Sequence, residues 1–244
     1  MHSGARQHDD DDGQRPTPAV VHAVHDRYLV EIVEELGLCP FARRSREQGR
    51  VHRPLWWVAE PAEPDPAQCA ARLLAIVHAH PDAEILLPTF VVAPGHLWND
   101  AESFASFVAV LRGAYEQQGG PRFFMVAFHP GFPSRPAGTR AQTADTLVPS
   151  IRRSPDPVIQ CVSAEVLERA RAQAQQHAHE RLRVRFADDP VMRALIERSV
   201  QADSELSAEI ARNNFTAVGT GAGREELDRR VADIARERDA RYAR

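Results

Sequence analysis

Cys39 is the residue whose setting most invites chemistry. It stands at a corner in the stretch from Leu36 to Gly49, LGLCPFARRSREQG. Gly37 can stop the apolar helical pattern that precedes it, and Pro40 can open a second, short helix. A thiol there would face unsatisfied backbone N–H groups and the positive end of a helix dipole. Arg43, Arg44 and Arg46 follow within two turns and add positive potential. Both effects favour the thiolate, the form that attacks an electrophile or ligates a metal. The plainer alternative is a small apolar side chain packed between two helices. That reading is the expectation for Cys69 and Cys161, each on an apolar face of a regular element.

His129 is the second candidate. It closes the apolar run RFFMVAF and opens a proline-rich loop over residues 129–157. In open parallel sheets ligands sit beyond the carboxyl ends of strands, so a histidine there is placed to act as acid or base. Arg152, Arg153 and Ser154 lie in the same loop, where paired arginines can hold a carboxylate or phosphate. Arg135 and Arg140 raise the positive density nearby. Together with Arg43 these residues imply a small acidic or amphoteric substrate. His22 and His25 are three apart on one helix, but no third ligand stands at a fixed spacing, so no metal site is read. The phosphate-cradling glycine loop and the G-x-S-x-G nucleophile elbow are both missing.

The elements that must position these groups follow from periodicity. Residues 1–16 carry the acid run Asp9 to Asp12 and read as a disordered tail. Thr17-Pro18 starts a helix whose face is Val21, Val24, Tyr28, Ile32 and Leu36. Strands are expected near 51–58, 84–92, 122–128 and 157–162. Helices lie between them, the clearest marked by Phe104, Phe107, Val108, Leu111 and Tyr115. Such alternation predicts an α/β domain over 17–185, with a mostly parallel central sheet of about four strands covered by helices. Residues 186–244 are expected to pack on it as helices over 188–213 and 224–241. These could serve as a lid or an oligomer contact.

Bulk properties narrow the partners. The 244 residues carry a formal net charge of −4 and a pI near 6.3, so no basic field favours nucleic acid. No apolar run reaches the ~18 residues of a membrane span, and the N-terminus has no signal-like apolar core. Three scattered cysteines make no disulfide framework. The expectation is a cytoplasmic protein with reduced thiols.

Four stretches together carry a resemblance. GLCPFA at Gly37 to Ala42, the acid-led apolar strand at Glu84, FHP at Phe128 to Pro130 and RSP-x-P at Arg153 to Pro157 resemble the uncharacterised bacterial family numbered 1415 among the domains of unknown function. IARNN, Ile210 to Asn214, is a weaker echo. Gln160 stands where the family pattern has a histidine soon after RSP. The family motifs fall on Cys39, Pro40, Phe41, His129, Pro130, Arg153, Ser154 and Pro155, and the resemblance names no reaction. Three functions stay open. One is an enzyme with Cys39 as nucleophile and His129 as acid/base, which needs only their proximity in space. Another is a haem-thiolate oxidoreductase with Cys39 as axial ligand. The last is a non-catalytic binding or scaffold protein.

Overall fold

The computed structural model describes residues 15–58, 64–134, 143–187, 189, 191–192 and 205–243. Helix α1, Pro18–Tyr28, starts where Thr17 accepts a hydrogen bond from Val20 N–H at 3.4 Å. It runs directly into a π-helical turn, Leu29–Glu34. Gly37, at φ 67°, then reverses the chain, a conformation that glycine adopts without strain. The following helices are α2 (Ala42–Glu47), α3 (Pro66–Ala79), α4 (Ala101–Gln117), α5 (Ala144–Ile151), α6 (Ala164–Arg185), α7 (Glu205–Val218) and α8 (Gly221–Tyr242).

Strands form where the apolar runs predict them, in shorter pieces. β1 (Val51–His52) and β2 (Leu55–Val58) flank Pro54. β3 (Ile85–Leu86) and β4 (Thr89–Val92) flank Pro88. Proline has no N–H to give the ladder, so each run is interrupted there. β5 (Phe123–Phe128) and β6 (Val158–Ser163) are continuous.

The direction of pairing corrects the sequence expectation. The sheet is mixed, with six strand segments, and is not mostly parallel. β1 pairs with β3, and β2 with β4, in parallel. β6 runs antiparallel to β3, β4 and β5. Helical crossovers through α3 and α4 keep β1 to β5 in one sense, as the alternating pattern implies. β6 enters between β4 and β5 after the loop and α5 have turned the chain round. A strand's apolar pattern carries no record of that reversal.

Side chains alternate across the strands and build two different faces. One face is covered by α3 and α4, with Phe90, Trp98, Phe104, Met125 and Ile159 in its core. Asp65 and Asp100 cap these two helices, accepting from Ala67 N–H at 2.9 Å and Ser103 N–H at 2.8 Å. The other face lies under α1, the π turn, α5, α7 and α8, where Val24, Ile32, Leu147, Val218, Leu227 and Ile234 cluster. The thin apolar stripe of the last helix is therefore buried inside the chain, with Leu227 at 0% and Ile234 at 1% exposure.

Most of the expected tail, 1–14, and the arginines at 135 and 140 lie outside the described residues. So does much of the expected 188–213 helix, of which α7 is the later part. Among the described residues no helix is long and apolar enough to cross a membrane.

Candidate functional site

The corner at Cys39 forms as its sequence implies, though its electrostatics differ. Leu38 N–H bonds back to Val33 C=O at 2.9 Å, which closes the π turn and fixes the following residue. The backbone N–H groups of Phe41 and Ala42 point at the Cys39 sulfur. Helix α2 opens at Ala42, two residues later than expected, and is one and a half turns long. Burial pushes the Cys39 thiol pKa up, the two N–H groups pull against it, and nearby Glu34 adds to the rise. The arginines that should have offset this are turned away. Arg46 donates to Glu34 at 2.6 and 2.9 Å, and Arg43 lies 3.5 Å from the same carboxylate. Arg43 thus belongs to an ion pair on the outer side of the corner and does not line the cavity beside Cys39.

That cavity has a volume of about 450 Å³. Phe124, Val126 and Phe128 of β5, with Gln160 and Val162 of β6, form its floor. Leu147 and Ile151 of α5 and Ile210 and Asn214 of α7 form its roof. Cys39, Pro40 and Phe41 make one wall, and Arg152 enters just past the end of α5. The Asn214 side-chain amide donates to Leu38 C=O at 3.4 Å, joining the roof to the Cys39 corner.

Among the described residues Arg152 is the one charged residue lining the chamber. Its guanidinium is half-buried, and no carboxylate or other partner meets it among the described residues. Burial alone lowers its pKa, with no acidic neighbour to counter the effect. Its backbone is held in place, because its C=O accepts from His129 N–H at 3.0 Å.

His129 is not brought to this chamber. It continues the alternation of Met125 and Ala127, so it faces the α3/α4 side of the sheet. Only 1% exposed, it packs against Phe104 and Phe132. Nε2 donates to Trp98 C=O and Nδ1 accepts from Gly131 N–H, both at 2.9 Å. Both ring nitrogens are thus engaged in one neutral tautomer, and burial lowers the pKa. The expected pairing of Cys39 with His129 meets the body of the sheet between them.

Arg153 and Ser154 are also engaged elsewhere. Arg153 donates to Ser150 C=O at 3.0 Å and pairs with Asp228 of α8. Ser154 donates to Asp156 C=O at 2.6 Å. Asp156 itself, between two prolines, is the centre that the sequence reading missed. It is fully buried and accepts from His25 at 2.9 Å, Arg238 at 2.8 Å and Tyr242 at 2.6 Å. Burial pushes its pKa up, but His25, Arg238 and Tyr242 together hold it below the usual carboxylate range. The RSP-x-P stretch thus fastens α8 onto α1 and the sheet. Glu84 plays a similar part on the other side, accepting from Ser45 at 2.7 Å, Arg50 at 2.8 Å and Arg169 at 3.0 Å.

A search of the curated proteins and a search of the solved structures each find no match. The family model described as "Protein of unknown function (DUF1415)" matches residues 20–189, which include the corner at Cys39, the buried Glu84 and His129, and the Arg152 to Pro157 loop. The chain therefore belongs to the family of proteins of unknown function DUF1415.

Proposed function

We propose that the chain binds and acts on a small acidic or amphoteric molecule in the chamber between the sheet and its helical cover, with Arg152 as the anion anchor and Cys39 as the reacting group. The observation that carries this is the half-buried Arg152 guanidinium, without a partner among the described residues, in a chamber lined mainly by apolar side chains. A desolvated charge without a partner is costly, and a ligand carboxylate or phosphate would supply the partner with charge-assisted hydrogen bonds. Cys39 opens on the same space. Among the described residues no histidine or carboxylate lines the chamber, so the thiol proton would leave to a basic group of the substrate or to water. His129 has no part in this reading.

The test is a thermal-shift series with short carboxylates, amino acids and phosphate esters. At about 100 times its dissociation constant a ligand adds ~2.7 kcal/mol of stability, which is easily seen. Acids should raise the melting temperature of the wild-type protein and not of Arg152→Gln. Bound acid should slow alkylation of Cys39, and Cys39→Ser should keep binding and lose turnover. Equal shifts in wild type and Arg152→Gln would sink the proposal. The haem reading is favoured by the two N–H groups aimed at the Cys39 sulfur, and a Soret band on haem addition that disappears in Cys39→Ser would replace the enzyme reading with it. Binding without turnover in any condition would leave a binding protein.

A further inference from the structure

Next to the main chamber, between α1 and the sheet, is a smaller one of about 40 Å³. Val33, Phe128 and Gln160 line both, so the two adjoin along these residues. The walls of the inner chamber are mostly apolar, and nearly every polar group on them is already engaged. His25 holds Asp156, Ser154 donates to Asp156 C=O, Arg53 pairs with Asp26, and Thr89 donates to Leu87 C=O at 3.3 Å. Two groups remain. The Tyr28 hydroxyl is buried without any hydrogen-bond partner, and the side-chain amide of Gln160 has none among the described residues. A buried polar atom is rarely left unmatched, so the Tyr28 hydroxyl asks what satisfies it, while the half-buried Gln160 amide stands beside it open to a partner.

We infer that the inner chamber is the far end of the ligand site, where the Tyr28 hydroxyl and the Gln160 amide bind one oxygen function of the ligand, a hydroxyl or a carbonyl. This rests on the reading of Arg152 as anion anchor and adds to it the specificity of the site. Size limits the group. One water needs about 10–15 Å³ of such space, and a cavity that takes benzene is about 150 Å³. The inner chamber therefore admits a small polar group and no ring. Burial raises the Tyr28 pKa, so its hydroxyl stays protonated and can donate to a carbonyl or exchange a hydrogen bond with a hydroxyl. Gln160 offers both a donor and an acceptor where the two chambers adjoin. Arg152, Gln160 and Tyr28 are thus unsatisfied polar groups distributed over two adjoining spaces, and they describe a short hydroxy or keto acid.

The experiment compares matched pairs of short acids, with and without a hydroxyl or ketone away from the carboxylate, on the wild-type protein and on Tyr28→Phe. Tyr28→Phe should fold normally, since the hydroxyl it lacks bonds nothing in the chain. Wild type should favour the oxygenated acid by about two- to tenfold, the worth of one neutral hydrogen bond. Tyr28→Phe should lose that preference while binding the plain acid equally well. If acids bind through Arg152 with no such preference, the inner-chamber inference is overturned and the anion reading stands. If no acid binds, the anion reading fails, and acetone as a separate probe decides the inner chamber. A shift of the Gln160 side-chain amide resonances on adding acetone, absent in Tyr28→Phe, supports the subsite; no shift overturns it.

Discussion

On the α3/α4 face of the sheet, Phe90 meets Trp56, Trp98 and Phe104 edge to face at ring separations of 4.9, 5.3 and 5.5 Å. His129 closes that face with both nitrogens bonded. Across the sheet, the same strands present Phe128, Val126 and Gln160 to chambers of about 450 and 40 Å³. One face is filled with interlocking aromatic rings, although Trp98 Nε1 and His96 Nε2 are buried there without hydrogen-bond partners among the described residues. The other leaves Arg152, Gln160 and Tyr28 beside open chambers without hydrogen-bond partners among the described residues. What the contrast teaches is that a histidine at a strand end is not a site by its position. The face it points to decides, and here a change of parity by one residue would have placed it in the chamber.

The first way to break this comparison is to remove volume from each face. Phe90→Ala should cost about 3–5 kcal/mol, because the ring sits in a close-packed cluster that cannot collapse fully around the gap. Chemical denaturation would measure it. Leu147→Ala, at the roof of the main chamber, should fall at or below the low end of the range for leucine, about 2–3 kcal/mol, since space already adjoins it. If the two cost the same, the chamber face is as tightly packed as the other and the contrast fails.

The second concerns the clamp on α8. Asp156→Asn should cost about 3 kcal/mol, the lower end of the range for breaking a buried pair, because Arg238 keeps 28% of its side chain exposed. Its acid dependence has a definite sign. The native pKa of Asp156 is depressed, so its contribution is complete above the unfolded value near ~3.9 and is lost as pH falls from there through the native one. Wild-type stability should therefore drop below about pH 4, and Asp156→Asn should show a shallower drop over that range. Parallel acid profiles for the two proteins would show that the network carries no such linkage.

Third is His129. His129→Ala leaves the Trp98 carbonyl and the Gly131 N–H without partners and should cost about 1–3 kcal/mol. The native pKa of His129 is lowered by burial, so its stabilisation is complete above the unfolded value near ~6.5 and declines as pH falls below that. The variant should lose this part of the pH profile and keep any ligand binding at Arg152. Loss of binding with an unchanged melting curve would return His129 to the site.

Much of this arrangement was legible in the residues. The alternation in RFFMVAF and VIQCV, the glycine stop at Gly37 and the cap at Thr17 depend on local chemistry, and the structure has them where the pattern implies. The Cys39 corner was legible for the same reason. What was not legible is set by long-range pairing. Nothing near Arg153 signals Asp228, 75 residues on, and nothing near Asp156 signals Arg238, 82 residues on. The arginines after Cys39 looked like a thiolate-stabilising field until Glu34 was found to take Arg43 and Arg46. Signals for the missed residues did exist. Asp156 is a lone acid between prolines, and Gln160 is a polar side chain in the middle of an apolar strand.

The smallest expected effect is the sharpest test of the comparison. Arg152→Gln should leave the unfolding midpoint unchanged or slightly raised, within about 0.5 kcal/mol, as for substitutions away from any structural contact. The guanidinium gives up hydration on burial and gains no ion pair in return, so the folded chain has nothing to lose when the charge is removed. The side chain's apolar stem lines part of the chamber, and glutamine keeps most of that lining. Arg153→Gln, one residue on, should behave oppositely, because it leaves Asp228 and the Ser150 carbonyl unmatched. Neighbouring arginines in one loop would then differ in sign, one held by the fold and one held for a ligand. Urea titration of the two variants side by side decides this. If Arg152→Gln destabilises as much as Arg153→Gln, the Arg152 guanidinium has a structural partner, the chamber contains no unmet charge, and the anion site cannot stand.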